Sequence, residues 1–260
     1  MKLSRRQSLK TMAAASAVSG AYIPAAARAA ATARASRPIR LVVLDIGGTI
    51  IQDHGEVPNA MHGAFAKHGL DISFAEIGSW RGASKRGMVK HFVALRAKPG
   101  ADADALTEAI YRDFSDAVNI AYAHVQPIAG AQEAIESMRK SGFLLATTTG
   151  FDRQQTNMIF GRLGWPKYFV TSITSDDVVD GRPSPFMLFH AMEAAHVDGV
   201  AETVAVGDTP LDLQAAMNAG LKGAIGVYSG AATEDKLRAE VHTHILPSIA
   251  SLPQLLAAEF

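Results

Sequence analysis

The chain has 260 residues, of which 48% are hydrophobic, with 25 basic and 25 acidic side chains and no cysteine. This length fits one domain, or one domain core with an insertion. The balanced charge gives no electrostatic reason to expect binding to nucleic acid or to an anionic membrane. The lack of cysteine excludes disulfides, thiolate catalysis and zinc sites with cysteine ligands.

The first 30 residues have the organisation of an export signal. Arg5 and Arg6 precede an alanine-rich, mildly apolar stretch that ends in small residues near Ala27. This pattern resembles a twin-arginine signal peptide, which predicts a periplasmic protein. A disordered tail on a cytoplasmic protein is the alternative. No apolar run is long enough to span a bilayer, so we expect no membrane contact after signal removal.

Taken in chain order, the rest of the sequence predicts an α/β protein. Residues 31–38 are a predicted linker, and the first strand covers Ile39 to Ile46. A helical pattern over residues 58–125 is too long for an ordinary crossover and predicts an inserted cap. Strands then alternate with helices, which predicts a Rossmann-like, doubly wound parallel sheet. The predicted core comprises 39–57 and 126–260, with later strands at 143–148, 168–173, 203–206 and 222–227.

The first predicted strand ends in Asp45, which is followed by Gly47-Gly48-Thr49. A short apolar run that stops at glycines is typical of a buried strand entering a tight loop. Open α/β sheets bind ligands at the carboxyl ends of their strands. Asp45 is therefore a candidate for contact with a substrate, although an Asp that only caps a turn would give the same pattern.

Three later strand ends carry matching polar groups. Thr148 and Thr149 precede Gly150, where hydroxyls and free amides can bind phosphate oxygens. Arg182 follows the next strand and can neutralise a phosphoryl group. Asp208 and Asp212 follow the fourth strand and offer the hard oxygen ligands that suit Mg²⁺. Taken singly, each has a plainer interpretation as a strand-edge threonine, a loop arginine or a helix cap.

The order Asp, Thr, Arg, Asp at successive strand ends resembles the haloacid dehalogenase superfamily of phosphotransferases, from residue 40 to the C-terminus. The resemblance implies that Asp45 attacks phosphorus to form an aspartyl-phosphate, which water hydrolyses. It implies that the phosphoryl group is held by Thr49, Thr148, Thr149 and Arg182. It also implies that Mg²⁺ is bound by Asp45, Gly47, Asp208 and Asp212.

Gly47 departs from the phosphatase pattern, in which a second Asp two residues after the nucleophile protonates the leaving alcohol. The phosphonoacetaldehyde hydrolase branch also lacks that Asp and uses a cap lysine that forms a Schiff base with its substrate. The segment Arg81-Gly82-Ala83-Ser84-Lys85 resembles the lysine element of that branch, which implies that Lys85 is catalytic. Arg81 and Arg86 could depress the pKa of the Lys85 amine, or they could form a basic phosphate-recognition patch or a solvated helix face. A solvated surface lysine is the alternative.

The sequence therefore predicts a Mg²⁺-dependent hydrolase that cleaves a phosphonate such as phosphonoacetaldehyde. A phosphomonoesterase of the same fold is the first alternative, and a phosphate-ester binding protein without turnover is the second. The expected partner is a small phosphonate or phosphate ester, and the chain is expected to be a monomer or a homodimer.

Overall fold

The computed structural model describes residues 38–260. The predicted signal peptide of residues 1–30 and nearly all of the predicted linker lie outside these described residues. Within them, no helix combines the length and the apolar character needed to cross a bilayer.

A six-stranded, fully parallel sheet forms the centre of the fold. Its order is β3-β2-β1-β4-β5-β6, which confirms the predicted doubly wound α/β fold. The chain crosses from one side of β1 to the other between β3 and β4, so the switch point lies between β1 and β4. The strands cover β1 Leu41–Leu44, β2 Leu144–Thr148, β3 Thr171–Ile173, β4 Thr203–Gly207, β5 Gly223–Val227 and β6 His244–Leu246.

The central strand is buried on both faces, because side chains alternate across a strand and helices cover each side. Leu41 and Val43 belong to one core cluster, and Val42 and Leu44 belong to the other. Six α-helices come after residue 130 in the chain. They are α5 Ala131–Lys140, α6 Arg153–Leu163, α7 Phe186–Ala194, α8 Pro210–Asn218, α9 Glu234–Arg238 and α10 Leu252–Glu259.

Four further helices lie in the chain between β1 and β2, where the sequence predicts an inserted cap. They are α1 Glu56–Lys67, α2 Phe74–Gly78, α3 Lys85–Arg96 and α4 Ala103–Ala121. Helix α4 packs against both α1 and α3. The sequence pattern did not predict α2, which is only five residues long and begins with a capping box between Ser73 and Glu76. The division at residues 58 and 125 into cap and core domains stays a prediction.

The predicted strand at 168–173 begins too early. Residues Pro166–Tyr168 form a 3₁₀ turn, and β3 starts only at Thr171. Proline fits the first position of such a turn because its φ is fixed and it has no N–H to leave unpaired. The predicted strand started too early because Tyr168 and Phe169 are residue types that also favour strands.

Candidate active site

The site is built around Asp45, at the carboxyl end of β1 beside the switch point. The Asp45 amide donates to the carbonyl of Val206 at 2.9 Å, which continues the pairing between β1 and β4. Asp208 follows β4 directly. Carboxylate oxygens of Asp45, Asp208 and Asp212 lie within 4.8 Å of one another, and all three residues are buried. The sheet thus brings together acidic residues that are up to 167 positions apart in the chain.

Arg182 offsets part of this negative charge. Its Nη1 lies 2.8 Å from Oδ1 of Asp45 and also forms an ion pair with Oδ1 of Asp212. The guanidinium is buried, and its Nε has no hydrogen-bond partner among the described residues. A buried donor without a partner is costly. The arginine therefore retains a free donor at the base of the site.

Asp212 is held in place by its own helix. Its Oδ2 accepts hydrogen bonds from the Thr209 amide at 3.0 Å and from the Thr209 hydroxyl at 2.6 Å, as part of the capping box of α8. Both carboxylate oxygens are therefore engaged, one by Thr209 and one by Arg182. The predicted role of Asp212 as a metal ligand stays a prediction, whereas its contacts directly account for the orientation of Arg182.

Asp208 is the carboxylate that its surroundings perturb most. Burial and the adjacent charge of Asp45 raise its pKa to about 7, against the opposing effects of the Ala231 amide and Arg182. The Ala231 amide donates to Oδ2 at 2.6 Å. A buried carboxyl with this pKa is poised to exchange a proton for a cation. Three clustered acidic groups offer the hard oxygen donors that a divalent cation of the Mg²⁺ type requires, so the residues present could hold one.

Gly48 allows this close approach. Its φ is +77°, and a Cβ at this position would lie 2.3 Å from Oδ2 of Asp208. Any other residue would clash with the carboxylate and would also be strained in the left-handed conformation. Gly47 differs, because a Cβ there would meet only Phe151, at 3.8 Å. The cavity thus has space for a side chain at the position where the sequence departs from the phosphatase pattern.

The three predicted phosphate-binding threonines are all buried but do not share one position. Thr149 lies on the cavity wall, and its hydroxyl accepts from the Phe151 amide at 3.1 Å. Thr148 and Thr49 are not among the residues that line the cavity. Successive side chains of an extended segment point in opposite directions, so only one of Thr148 and Thr149 can face the site. The structure places Thr149 there.

Lys85 is not a surface lysine, because only 8% of it is exposed. It is the first residue of α3, and its amide donates to the carbonyl of Gly150 at the end of β2, at 3.3 Å. Its Nζ donates to the carbonyl of Ala83 at 3.2 Å and lies 5.4 Å from the centre of the Phe151 ring. The structure therefore brings this amine from the helical segment to the carboxyl ends of the strands.

Burial lowers the pKa of Lys85 to about 8, with a further decrease from the charge of Arg182. Neither Arg81 nor Arg86 is among the main causes of this decrease. Arg86 pairs with Glu108 and lies over the Tyr111 ring, 4.0 Å from its centre. Arg81 lies 3.4 Å from Oδ2 of Asp53. Their charges are thus compensated locally, and the loss of water around Lys85 is the main cause.

The predicted catalytic groups face one cavity. Its empty volume is about 570 Å³, which includes space open to solvent. The lining combines polar and apolar side chains. The polar groups include Asp45, Lys85, Arg182 and Asp208, and the apolar and aromatic groups include Val57, Ile77, Trp80, Met88, Tyr122 and Phe151. The cavity therefore suits a small molecule that combines an anionic group with an organic group.

Tyr122 is a cavity residue that the sequence analysis did not identify. It follows the last turn of α4, where the spacing of apolar residues predicts only a core position. Its side chain is 2% exposed, and its hydroxyl has no hydrogen-bond partner in the described part of the chain. No local motif marks such a residue, because only the tertiary packing of the segment reveals that it reaches the cavity.

Comparison with known proteins places these observations in context. The model of the haloacid dehalogenase-like hydrolases matches residues 39–220. Phosphonoacetaldehyde hydrolase of Nitratidesulfovibrio vulgaris is 31% identical over 198 residues, which are 71% of this chain and 70% of that protein. The plasmid-encoded phosphoglycolate phosphatase of Cupriavidus necator is 25% identical over 228 residues, covering 86% and 96% of the two chains.

Among solved structures, a phosphonoacetaldehyde hydrolase-like protein from Oleispira antarctica superposes with a TM-score of 0.73. The match covers 85% of this chain and 92% of that one, at 19% sequence identity. At this identity, the similarity supports the fold alone. It is consistent with the parallel sheet and with the helices between β1 and β2.

Proposed function

The chain belongs to the haloacid dehalogenase-like hydrolase family, and on that basis we propose that it cleaves the C–P bond of phosphonoacetaldehyde or a related phosphonate. The observation that carries this proposal is the buried Lys85, with its lowered pKa, in the same cavity as Asp45. A neutral amine in that position can condense with an aldehyde. The relative named phosphonoacetaldehyde hydrolase supports the same substrate class.

In the proposed reaction, Lys85 forms an imine with the aldehyde, and a carboxylate oxygen of Asp45 attacks phosphorus. The C–P bond breaks, and its electron pair moves into the enamine held by Lys85. Asp45 carries the phosphoryl group until water hydrolyses the aspartyl-phosphate. The enamine carbon takes up a proton, which balances the proton released in that hydrolysis, and hydrolysis of the resulting imine releases acetaldehyde. Arg182 and Thr149 are placed to hold the phosphoryl oxygens. The imine provides the electron sink that a carbon leaving group requires.

We propose Mg²⁺ as the cofactor, held by Asp45 and Asp208, with Gly47 and Asp212 beside it. When bound, the cation would offset the repulsion between the Asp45 carboxylate and the anionic phosphoryl group. The buried carboxylates support this assignment, because they otherwise leave an excess of negative charge next to Arg182.

The alternative reaction is hydrolysis of a phosphate monoester. The match to phosphoglycolate phosphatase favours it, and Asp45, Arg182 and Thr149 would act in the same way. However, Gly47 supplies no side chain to protonate a leaving alkoxide. Such assistance is typically worth ~10²–10⁴-fold in rate. The binding protein without turnover is the least supported alternative, since a binder does not need the nucleophile.

The first test is the release of acetaldehyde from phosphonoacetaldehyde by the purified chain with Mg²⁺, beside hydrolysis of an aryl phosphate. We expect acetaldehyde release, and we expect borohydride to inactivate the enzyme only when the aldehyde is present. Asp45→Asn should abolish both reactions while leaving the unfolding temperature within a few degrees. Full activity of this variant would exclude the mechanism.

Lys85→Arg separates the two reactions. We expect it to abolish acetaldehyde release and borohydride inactivation but to leave aryl phosphate hydrolysis largely intact. Lys90→Arg is the matched control, since Lys90 is exposed on the same helix and should behave as the parent protein does. Hydrolysis of the aryl phosphate with no acetaldehyde from the parent enzyme would establish the phosphatase alternative.

A further inference from the structure

Tyr122 occupies an unusual position for a buried tyrosine. Its ring is packed in the interior, yet its hydroxyl has no partner among the described residues and the side chain lines the catalytic cavity. A buried hydroxyl without a hydrogen bond destabilises the fold, and phenylalanine would fill the same space without that cost. The hydroxyl is therefore better explained by a partner that enters the cavity than by a role in the core.

The surroundings of Tyr122 place it near the reacting groups. Its ring packs edge-on against Phe151, with ring centres 5.9 Å apart and planes at 88°. The Nζ of Lys85 lies 5.4 Å from the centre of the same Phe151 ring. Lys85 and Tyr122 therefore contact the same aromatic ring, and all three residues line the cavity.

The protonation state of Tyr122 fits a donor. Burial raises the pKa of its hydroxyl, and the carboxylates of Asp53, Glu56 and Asp45 raise it further. The phenol is therefore neutral over the whole physiological pH range and can give a hydrogen bond to an acceptor. Because burial and the carboxylates disfavour the phenolate, the hydroxyl can pass on its proton only when it takes up another in the same step. Gly47 has no side chain and therefore cannot supply a proton donor to the cavity.

We propose that the hydroxyl of Tyr122 donates its proton to the oxygen atom of the substrate's organic group, which in an aldehyde is the carbonyl oxygen. This inference rests on the proposed function and adds the proton donor that the sequence does not supply near Asp45. It makes Tyr122 a catalytic residue that contacts the substrate at the end remote from the phosphoryl group.

The proton balance closes over one reaction cycle. The Lys85 nitrogen bonds to the carbonyl carbon, and one amine proton moves to the oxygen to give a carbinolamine. Tyr122 then gives its proton to that hydroxyl while it takes up the proton that the Lys85 ammonium lost on becoming a neutral amine. The C–O bond breaks, and water leaves as the nitrogen lone pair forms the iminium. When water later attacks the product iminium, Tyr122 passes a proton in the opposite direction, so the phenol is neutral before and after each step.

The test compares Tyr122→Phe with Tyr111→Phe, which removes a hydroxyl from a second buried tyrosine of the same helical segment. The Tyr111 hydroxyl donates to Oδ2 of Asp152 at 2.8 Å and does not line the cavity. For each variant, kcat/KM for acetaldehyde release, the rate of imine trapping by borohydride, aryl phosphate hydrolysis and the unfolding temperature are measured.

We expect Tyr122→Phe to lower kcat/KM for the aldehyde and the rate of imine trapping by ~10²-fold. Aryl phosphate hydrolysis should change by less than about threefold, because an aryl oxide leaves without protonation. The unfolding temperature should be unchanged or higher. Tyr111→Phe should show the opposite pattern, with a lower unfolding temperature and a retained rate of imine trapping.

Two results would overturn the inference. One is a Tyr122→Phe variant that traps imine at the parent rate, and the other is an equal loss of both reactions with a lower unfolding temperature. A parent enzyme that releases no acetaldehyde would instead contradict the proposed function. In that case, Tyr122→Phe should slow an alkyl phosphate much more than an aryl phosphate, and equal effects on the two esters would exclude the proton donor.

Discussion

Arg182 lies between two carboxylates, and its position decides which negative charges remain available in the site. One guanidinium nitrogen contacts both Asp45 and Asp212, whereas within residues 38–260 the Asp208 carboxylate has only the Ala231 amide as a close donor. Asp208 is therefore left with the least compensation, which agrees with its raised pKa. The residue best suited to a cation is thus the one that the arginine does not neutralise.

This arrangement predicts that cation binding depends on pH. The pKa of Asp208 is about 7, so below pH 7 a bound Mg²⁺ must displace a proton from this carboxyl group. The apparent affinity for Mg²⁺ should fall about tenfold per pH unit below 7 and level off above it. Calorimetric titrations at several pH values, each in two buffers with different ionisation enthalpies, would measure both the affinity and the number of protons released. An affinity that is constant from pH 5.5 to 7.5 would contradict the prediction.

Lys85 is a second residue whose charge state matters, because burial of its protonated amine lowers the stability of the folded protein. Its pKa is about 8 in the folded protein against an ordinary value of 10.5. Below pH 8 the lysine is protonated in both states, so folding includes the full cost of burying the charge. Between pH 8 and 10.5 the unfolded chain binds more protons than the folded protein, so stability rises with pH.

Lys85→Met should therefore stabilise the protein at neutral pH while abolishing acetaldehyde release. The gain should be about 3 kcal/mol, because each pH unit between the two pKa values corresponds to about 1.4 kcal/mol. It should shrink as the pH rises from 8 to 10.5. Urea unfolding at pH 7 and pH 10 would measure it, with Lys90→Met as the exposed control. A loss of stability at pH 7 would show that the amine is not buried as a costly charge.

At the scale of elements, one contact between a helix and a strand end determines where the amine lies. The amide of Lys85 at the start of α3 bonds to the Gly150 carbonyl after β2. A Cβ at residue 150 would lie 2.3 Å from the Ala83 carbonyl and 3.0 Å from Nζ of Lys85. The close approach of two backbones thus requires a glycine at residue 150. Backbone conformation is not the reason, because the φ of Gly150 is not in the left-handed region.

Gly150→Ala should push the start of α3 away from the sheet and displace Lys85. We expect acetaldehyde release to fall at least tenfold, whereas aryl phosphate hydrolysis should fall much less because Asp45 and Arg182 lie on other segments. The control is Gly161→Ala, which lies within α6 and has no neighbouring atom within 4 Å of the added methyl group. Parent-like acetaldehyde release by Gly150→Ala would contradict the assigned role of this contact.

At the scale of the whole molecule, the order of the sheet explains why the site forms where it does. The chain builds β1, β2 and β3 on one side and then returns to place β4 beside β1. The carboxyl ends of β1 and β4 are therefore neighbours at the switch point, where helices leave in opposite directions and a crevice opens. The segment between β1 and β2 contributes Trp80, Tyr122 and the Lys85 amine to that crevice, and Phe151 follows β2.

Export of the protein stays a prediction, because residues 1–30 lie outside the described part of the chain. If Arg5 and Arg6 form a twin-arginine signal, their joint replacement by lysine should retain the protein in the cytoplasm. Cell fractionation would test this, with Arg34→Lys in the predicted linker as the control. A periplasmic location would favour a substrate other than a cytoplasmic catabolic intermediate. Unchanged fractionation of the double variant would exclude this export route.

The sequence by itself determined the fold class and the candidate residues at the strand ends. Buried parallel strands are unbroken apolar runs that end in glycine or in polar residues. Local pattern alone was therefore enough to find Asp45, Arg182, Asp208 and the pair Thr148 and Thr149. The alternation of strands and helices was likewise enough to predict a doubly wound sheet. These features depend on residues that are close together in the chain.

Only the tertiary structure decided what depends on residues that are far apart in the chain. It placed Thr149 rather than Thr148 on the cavity wall, engaged Asp212 with Arg182, and brought the unpartnered hydroxyl of Tyr122 to the cavity. It also assigned the lowered pKa of Lys85 mainly to burial, with Arg182 rather than Arg81 or Arg86 as the contributing arginine. Burial, ion pairing and hydrogen bonding across the fold are properties of packing between segments, and no local pattern of residues specifies them.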